Sequence, residues 1–290
     1  MRLSVRSRLP EIFLLLAGPN SSEKGEGLLS EKERGLPYYK ETGNEIQIFE
    51  HAYKNKLPIL LKGPTGCGKT RFVEFMAARL GLPLVSVSCH EETSAVDLLG
   101  RFLIQGAETV WQDGPLTRCV RAGGILYIDE IAEARPDTIV SIHPLTDHRR
   151  EMYLDRRNEN LKAPDSFMLV ASYNPGYQKG WKELKPSTRQ RFISLQFDYP
   201  DSKREEEILE KETGVSSSVS SKLVKLAGKI RNLTELGLLE SCSTRLLVDA
   251  AKLISTGLPP RMSCEVAIVQ PLSDDPDTIR SLKDLVSLLI

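Results

Sequence analysis

The 290-residue sequence has no excess of either charge: 39 lysines and arginines balance 39 aspartates and glutamates. Nothing in that balance points to a protein that grips nucleic acid through bulk positive charge, and only a local basic patch would remain. Cysteine is sparse. The five residues Cys67, Cys89, Cys119, Cys242 and Cys264 form no C-x-x-C pair and are odd in number. That argues against a disulfide framework or a zinc site and for reduced thiols in a cytoplasm. The four histidines, His51, His90, His143 and His148, show no ligand spacing. A membrane-length apolar run is missing too. "IFLLLAG" at 12–18 follows a basic start and imitates a secretory leader, but Pro10 and Glu11 interrupt the approach. It also falls far short of the roughly 20 residues of a membrane span. Glycine, serine and charge dominate the next stretch, so residues 1–35 read as a disordered extension, and no membrane insertion is expected.

Periodic structure begins near residue 36. Ile46, Phe49 and Tyr53 fall at helical spacing. Five short apolar runs follow: "PILLKG", "LPLVSVS", "GGILYIDE", "FMLVASYNP" and "FISLQFDYP". Helix-length segments separate them, which predicts a parallel sheet buried on both faces in an α/β core over 36–200. After Pro200 the texture changes. "DSKREEEILEKETG" reads as a solvated helix with an Asp-Ser cap. Val219, Leu223, Leu226 and Ile230 share one helical face, and "STRLLVDAAKLISTG" starts on a cap and ends at Gly257. Residues 201–290 are therefore expected to form a helical subdomain.

"GPTGCGKT" carries the chemistry. Gly63, Pro64, Thr65, Gly66, Cys67, Gly68, Lys69 and Thr70 fit G-x-x-x-x-G-K-[ST] between an expected strand and an amphipathic helix. The glycines let backbone amides wrap phosphate oxygens, and the helix N-terminus adds positive potential. Lys69 is expected to reach the outer phosphates of ATP, and the Thr70 hydroxyl to hold Mg2+. "GGILYIDE" delivers Asp129 and Glu130 at the C-terminal edge of a strand, where such sheets bind ligands. Asp129 would complete the metal shell, and Glu130 would polarise the attacking water.

Asn174, after "LVASY", would orient that water from the other side, although Asn-Pro-Gly is also plain turn chemistry. Arg191, and after it Arg189, sit just before the last strand, placed to serve a neighbouring copy rather than their own phosphates. A surface ion pair is the plainer reading of either. Arg245 would reach the γ-phosphate from the helical subdomain, or else be a solvated helix residue.

"FLIQGAETVWQDGPL", 102–116, alternates apolar and polar residues around a glycine and reads as a hairpin between the two phosphate-handling motifs. Its function is not evident from its own chemistry. Trp111 could be buried there, its indole N–H then needing a partner. A DNA motor would want uncompensated cations on such inserts. Here Glu108 and Asp113 lie on the first hairpin, and Glu151, Asp155 and Glu159 offset Arg149, Arg150, Arg156 and Arg157 near a second.

In this order the parts resemble an AAA+ ATPase of the MoxR group. "CHEETSAVDLLGRFLIQGAETVWQDGPLTRCVR", "HPLTDHRRE", "ASYNPGYQ" and "STRQRFISLQFDYP" are similar to the CbbQ/NirQ/NorQ branch across 36–290. The resemblance implies an AAA+ core with a five-stranded parallel sheet, two β-hairpin inserts and a C-terminal helical lid. It implies the first hairpin as an insert in the second core helix, near a ring pore, and a second insert within 147–167, "DHRREMYLDRRNENLKAPDSF". Both are expected to pass nucleotide-state changes to a client, the plainer alternative being that they pad the core or seal an interface. It further implies a homohexamer working with a CbbO-like adaptor that bears a von Willebrand A domain. The client would be Rubisco, freed of inhibitory sugar phosphates, or alternatively nitric oxide reductase during maturation; the reading leans to Rubisco. No nucleic-acid partner is expected.

Overall fold

A computed structural model describes residues 36–175, 183–233 and 241–290. The expectations for 1–35, and the "GYQKGWK" stretch at 176–182, lie outside the described residues.

The α/β part opens with α1 (Glu45–Lys54), β1 (Ile59–Lys62), α2 (Lys69–Leu80) and β2 (Leu84–Ser88). It continues through α3 (Ala95–Leu99), β3 (Gly100–Gln105), β4 (Glu108–Asp113), α4 (Pro115–Ala122) and β5 (Gly124–Asp129). Then come α5 (Pro136–Ile142), β6 (Glu151–Leu154), β7 (Glu159–Lys162), β8 (Phe167–Tyr173), α6 (Pro186–Arg189) and β9 (Ile193–Gln196). Five strands form one parallel sheet in the order β2-β5-β8-β1-β9.

Alternation along the strands divides the core into two layers. Ile59, Leu61, Ile125 and Tyr127 pack with Phe49 of α1 and Phe72 and Met76 of α2. Leu60, Leu126, Ile128 and Ala171 face the other way, onto α3, α4 and α5. The expectation of strands buried on both faces holds for the three inner ones. β2 and β9 are edges: β2 is half exposed, and of β9 only Leu195 is buried.

The first hairpin leaves between α3 and α4. Gln105 pairs with Glu108 across a two-residue loop in which Gly106 takes φ 65°, the left-handed backbone such tight turns need. The second strand stops at Asp113, at the Gly114-Pro115 break within 102–116; Pro115 starts α4 in the position where a missing N–H costs nothing, and Leu116 is buried. Phe102, Ile104 and Val110 are exposed, so the hairpin does not pad the core of this chain. Trp111 is half buried, lies 5.0 Å edge-on from Phe102, and gives its indole N–H to Asp113.

The second hairpin, β6–β7, is tied to the first. Arg121 of α4 bonds Asp113 at 2.9 Å and forks onto both carboxylate oxygens of Glu159 at 2.6 and 2.7 Å. The Arg157 guanidinium lies 5.9 Å from the Trp111 ring centroid.

Among the described residues after Pro200 the elements are helices: α7 (Ser202–Thr213), α8 (Ser217–Asn232) and α9 (Thr244–Ser255). They are followed by α10 (Pro260–Cys264), which continues through a π-helical stretch, Glu265–Val269, into α11 (Gln270–Leu272), and by α12 (Pro276–Leu289). Leu209, Leu223, Leu226, Ile230, Leu247 and Leu282 build their separate core. The Asp201 side chain caps α7 through the Arg204 N–H at 3.0 Å, as its sequence suggests. The reading of α7 as simply solvated is corrected. Glu205 is fully buried on it, because an arginine of α8 neutralises its charge. Among the described residues no helix is long and apolar enough to cross a membrane.

Candidate active site

Between the sheet and the helical part lies a cleft of 530 Å³. Its floor is the turn from β1 to α2. Gly66 and Gly68 take φ 70° and 99° there, which side-chain-bearing residues rarely adopt. Gly63 is required for another reason: a Cβ would lie 2.4 Å from the Phe197 carbonyl oxygen. The turn delivers the N-terminus of the 12-residue helix α2, with its unpaired amides, to the cleft. Lys69 Nζ donates to the Gly63 and Pro64 carbonyls, both at 2.8 Å.

β5 brings its last residues beside that turn. Thr70 Oγ1 is 3.4 Å from Asp129 Oδ2 and 3.3 Å from the Tyr127 hydroxyl. Tyr127 donates to Asp129 Oδ1 at 2.8 Å. Burial, then the negative Asp129, pushes the Tyr127 phenol well above its ordinary value, so it remains a protonated donor. The same surroundings act on Cys89, whose thiol is pushed up to about 11 by burial and by Asp129 and Glu130.

Ser172 of β8 joins the two acidic residues. Its buried hydroxyl donates to Asp129 Oδ1 and accepts the Glu130 N–H at 3.1 Å. Glu130 itself has φ 54° and its side chain is exposed toward the cleft.

Thr65 to Thr70, Asp129, Glu130, Asn174 and Arg245 all line the cleft. Asn174 Nδ2 stands 3.5 Å from Thr65 Oγ1. Gly63 and Pro64 shape the turn from behind and are not on the cleft wall. Arg189 and Arg191 are not on it either: both are exposed, on α6 and the turn after it. Thr188, just before Arg189 on α6, meets His143 Nε2 at 3.2 Å.

Residues 58–192 match the AAA domain (dynein-related subfamily), and residues 205–289 the CbbQ/NirQ/NorQ C-terminal region. The chain is 58% identical to the denitrification regulatory protein NirQ of Pseudomonas aeruginosa, over 87% of this chain and 97% of that protein. It is 54% identical to protein NorQ of Paracoccus denitrificans, over 87% and 94% respectively. Against protein CbbQ of Hydrogenophilus thermoluteolus the identity is 52%, over 86% and 94%.

The chain belongs to the CbbQ/NirQ/NorQ family of AAA+ ATPases.

A Thermotoga maritima RuvB mutant shares the fold at 16% identity, with a TM-score of 0.51 over 83% of this chain and 68% of that one. As an AAA+ ATPase, this CbbQ/NirQ/NorQ-family chain hydrolyses ATP. The lean toward Rubisco finds no specific support, since relatives named NirQ and NorQ match at least as well as CbbQ.

Sequence reasoning missed several residues of this AAA+ cleft. Tyr127 and Ser172 sat inside apolar strand runs, where a polar atom among hydrophobic neighbours was the available signal. Tyr38, Tyr39 and Thr42, ahead of α1, line the cleft together with Ile208 and Val248. Tyr199, whose hydroxyl donates to the Thr65 carbonyl at 3.2 Å, had no motif to mark it.

Proposed function

We propose that the cleft hydrolyses ATP·Mg2+ in a homohexameric ring and spends the energy on remodelling a client protein. The observation that carries this is the division of the polar residues. Lys69, Thr70, Asp129, Glu130, Asn174 and Arg245 meet around one cleft, while Arg189 and Arg191 stay exposed outside it. In this reading the phosphate loop and Lys69 bind the phosphate chain, and Arg245 approaches the γ-phosphate from the helical side. The carboxylate of Glu130 accepts the proton of the attacking water, and Asn174 holds that water in line. Arg191, with Arg189 as second choice, neutralises charge on the phosphates of the adjacent copy.

Thr70 and Asp129 offer the hard oxygen donors that Mg2+ prefers, held close to each other and to the phosphate loop. When bound, the ion would neutralise charge on the β- and γ-phosphate oxygens.

For the client, the names NirQ and NorQ on well-matched relatives favour the nitric oxide reductase alternative over Rubisco. An adaptor with a von Willebrand A domain in the cytoplasm would present it. Ion pairs within the inserts, Arg157 with Glu159 and Arg149 with Asp147, weaken the case for a nucleic-acid partner. Co-expression tests the client directly. Nitric oxide reductase should gain activity with this chain and lose that gain with Lys69→Ala. Rescue of sugar-phosphate-inhibited Rubisco alone would instead restore the first reading.

A further inference from the structure

Arg231 lies on α8 and does not line the cleft, yet it contacts α7, the residue just before the cap of α9, and the link that leads into α7. Its side chain is 17% exposed, and that of Glu205, its partner on α7, is 1%. The guanidinium forks onto both oxygens of Glu205, at 2.9 and 2.7 Å. Its Nε donates to the Cys242 carbonyl at 2.8 Å, and its Cζ stands 4.2 Å from the centroid of the Tyr199 ring. Glu205 takes a further bond from the Thr244 hydroxyl at 2.6 Å. Tyr199 belongs to the link between β9 and α7, and its hydroxyl reaches the phosphate-loop carbonyl of Thr65. Thr244 is the first residue of α9, and Arg245 is the second. A Cβ on Gly66 would lie 2.6 Å from Ser243 and 3.2 Å from the Arg245 Cβ, so the start of α9 rests directly on the phosphate loop.

A buried ion pair contributes little net stability against apolar residues of similar shape. What it does supply is fixed geometry, because a planar fork bonded at three nitrogens admits one orientation. Cys242, Thr244, Glu205 and Tyr199 are all held to that orientation.

We infer that Arg231 is a positioning residue which, through Glu205 and Thr244, sets Arg245 over the phosphate loop and so tunes the preference for a triphosphate over a diphosphate. This rests on Arg245 facing the γ-phosphate. A lysine keeps the charge but loses the fork. Valine at 244 keeps the shape and the ion pair but loses the hydroxyl bond to Glu205.

Calorimetric titration of the full chain with AMP-PNP and with ADP, both with Mg2+, tests the inference. Arg245→Ala should narrow the preference for AMP-PNP by about tenfold. Thr244→Val and Arg231→Lys should narrow it in the same direction by about threefold or more. Either change added to Arg245→Ala should bring no further narrowing, since residues acting through one group are not additive. Thr244→Val leaves the ion pair in place, so its result stands even where Arg231→Lys folds poorly. If Arg245→Ala narrows the preference but Thr244→Val leaves it at the parental value, Arg231 does not act through Arg245. If both nucleotides weaken equally in Arg231→Lys and Thr244→Val, the network is only a structural clamp. If Arg245→Ala itself leaves the preference intact, the reading of Arg245 falls, and the inference with it.

Discussion

Replacing Ser172 by alanine should separate catalysis from binding. The Ser172 hydroxyl has no solvent exposure, accepts the Glu130 N–H at 3.1 Å and donates to Asp129. Alanine removes both bonds and leaves the β8 backbone, with its pairing to β5 and β1, unchanged. Losing a buried acceptor costs about 1–3 kcal/mol. Glu130 already holds a left-handed backbone at φ 54°, and it is not a glycine. That conformation costs about 1–2 kcal/mol and persists only where its surroundings fix it. If most of the lost restraint falls on the placement of the Glu130 carboxylate, kcat should drop by about tenfold to a hundredfold. The phosphate loop does not contact Ser172 in the bonds described, so nucleotide Kd should stay within about threefold. Thermal unfolding should record a loss of about 1–2 kcal/mol. Steady-state ATPase, ADP titration and a melting curve on one preparation measure all three. An unchanged kcat, or a Kd that rises while kcat holds, would refute the claim that Ser172 aligns Glu130.

Turnover should need a neighbour: an Arg191→Ala chain mixed with a Glu130→Gln chain should regain ATPase activity, because mixed interfaces combine an intact Glu130 with an intact Arg191. No recovery at any ratio, with mixing verified by native mass spectrometry, would favour a surface role for Arg191. Cutting the first hairpin back from Gln105–Thr109 to a short glycine turn should change the hydrolysis barrier by less than about 1.4 kcal/mol, a factor of ten, while client activation is lost. Loss of both, with loss of ring assembly, would mark the hairpin as a structural seal. Acid should weaken the fold through His143, whose imidazole is pushed below its ordinary value of 6.5, first by burial and then by nearby Arg191. The unfolded chain takes up that proton before the folded one, so stability falls as pH drops through 6.5 and continues to fall to the folded value. Urea midpoints taken above and below that value should show a shallower slope in His143→Asn than in the parent.

The phosphate loop was legible because its chemistry dictates its spacing: Gly66 and Gly68 must take positive φ, and Lys69 and Thr70 must open a helix. Asp129 and Glu130 were legible because an apolar strand cannot carry two carboxylates except at its end. The sheet followed from run lengths, but its edges did not, although the serines and glutamine that alternate through β2 and β9 set them apart from the inner strands. Ser172 was hidden for a different reason. Its partnership with Asp129 exists only once β8 lies beside β5 with Ile128 opposite Ala171, and register is a property of the pair. Glu205 stands in the run "REEEILE", where one of three adjacent glutamates is buried. Only its arginine, 26 residues on, tells which.

Whether Glu130 is the base of the ATPase cleft is decided by comparing turnover and bound ATP in Glu130→Gln with the parent. The amide keeps the size of the side chain and cannot accept the water's proton. Hydrolysis should therefore fall by about a hundredfold or more. ATP should remain bound, because Lys69, Thr70 and the amides of the phosphate loop are untouched. Equal turnover in the two proteins would mean that Glu130 is not the base.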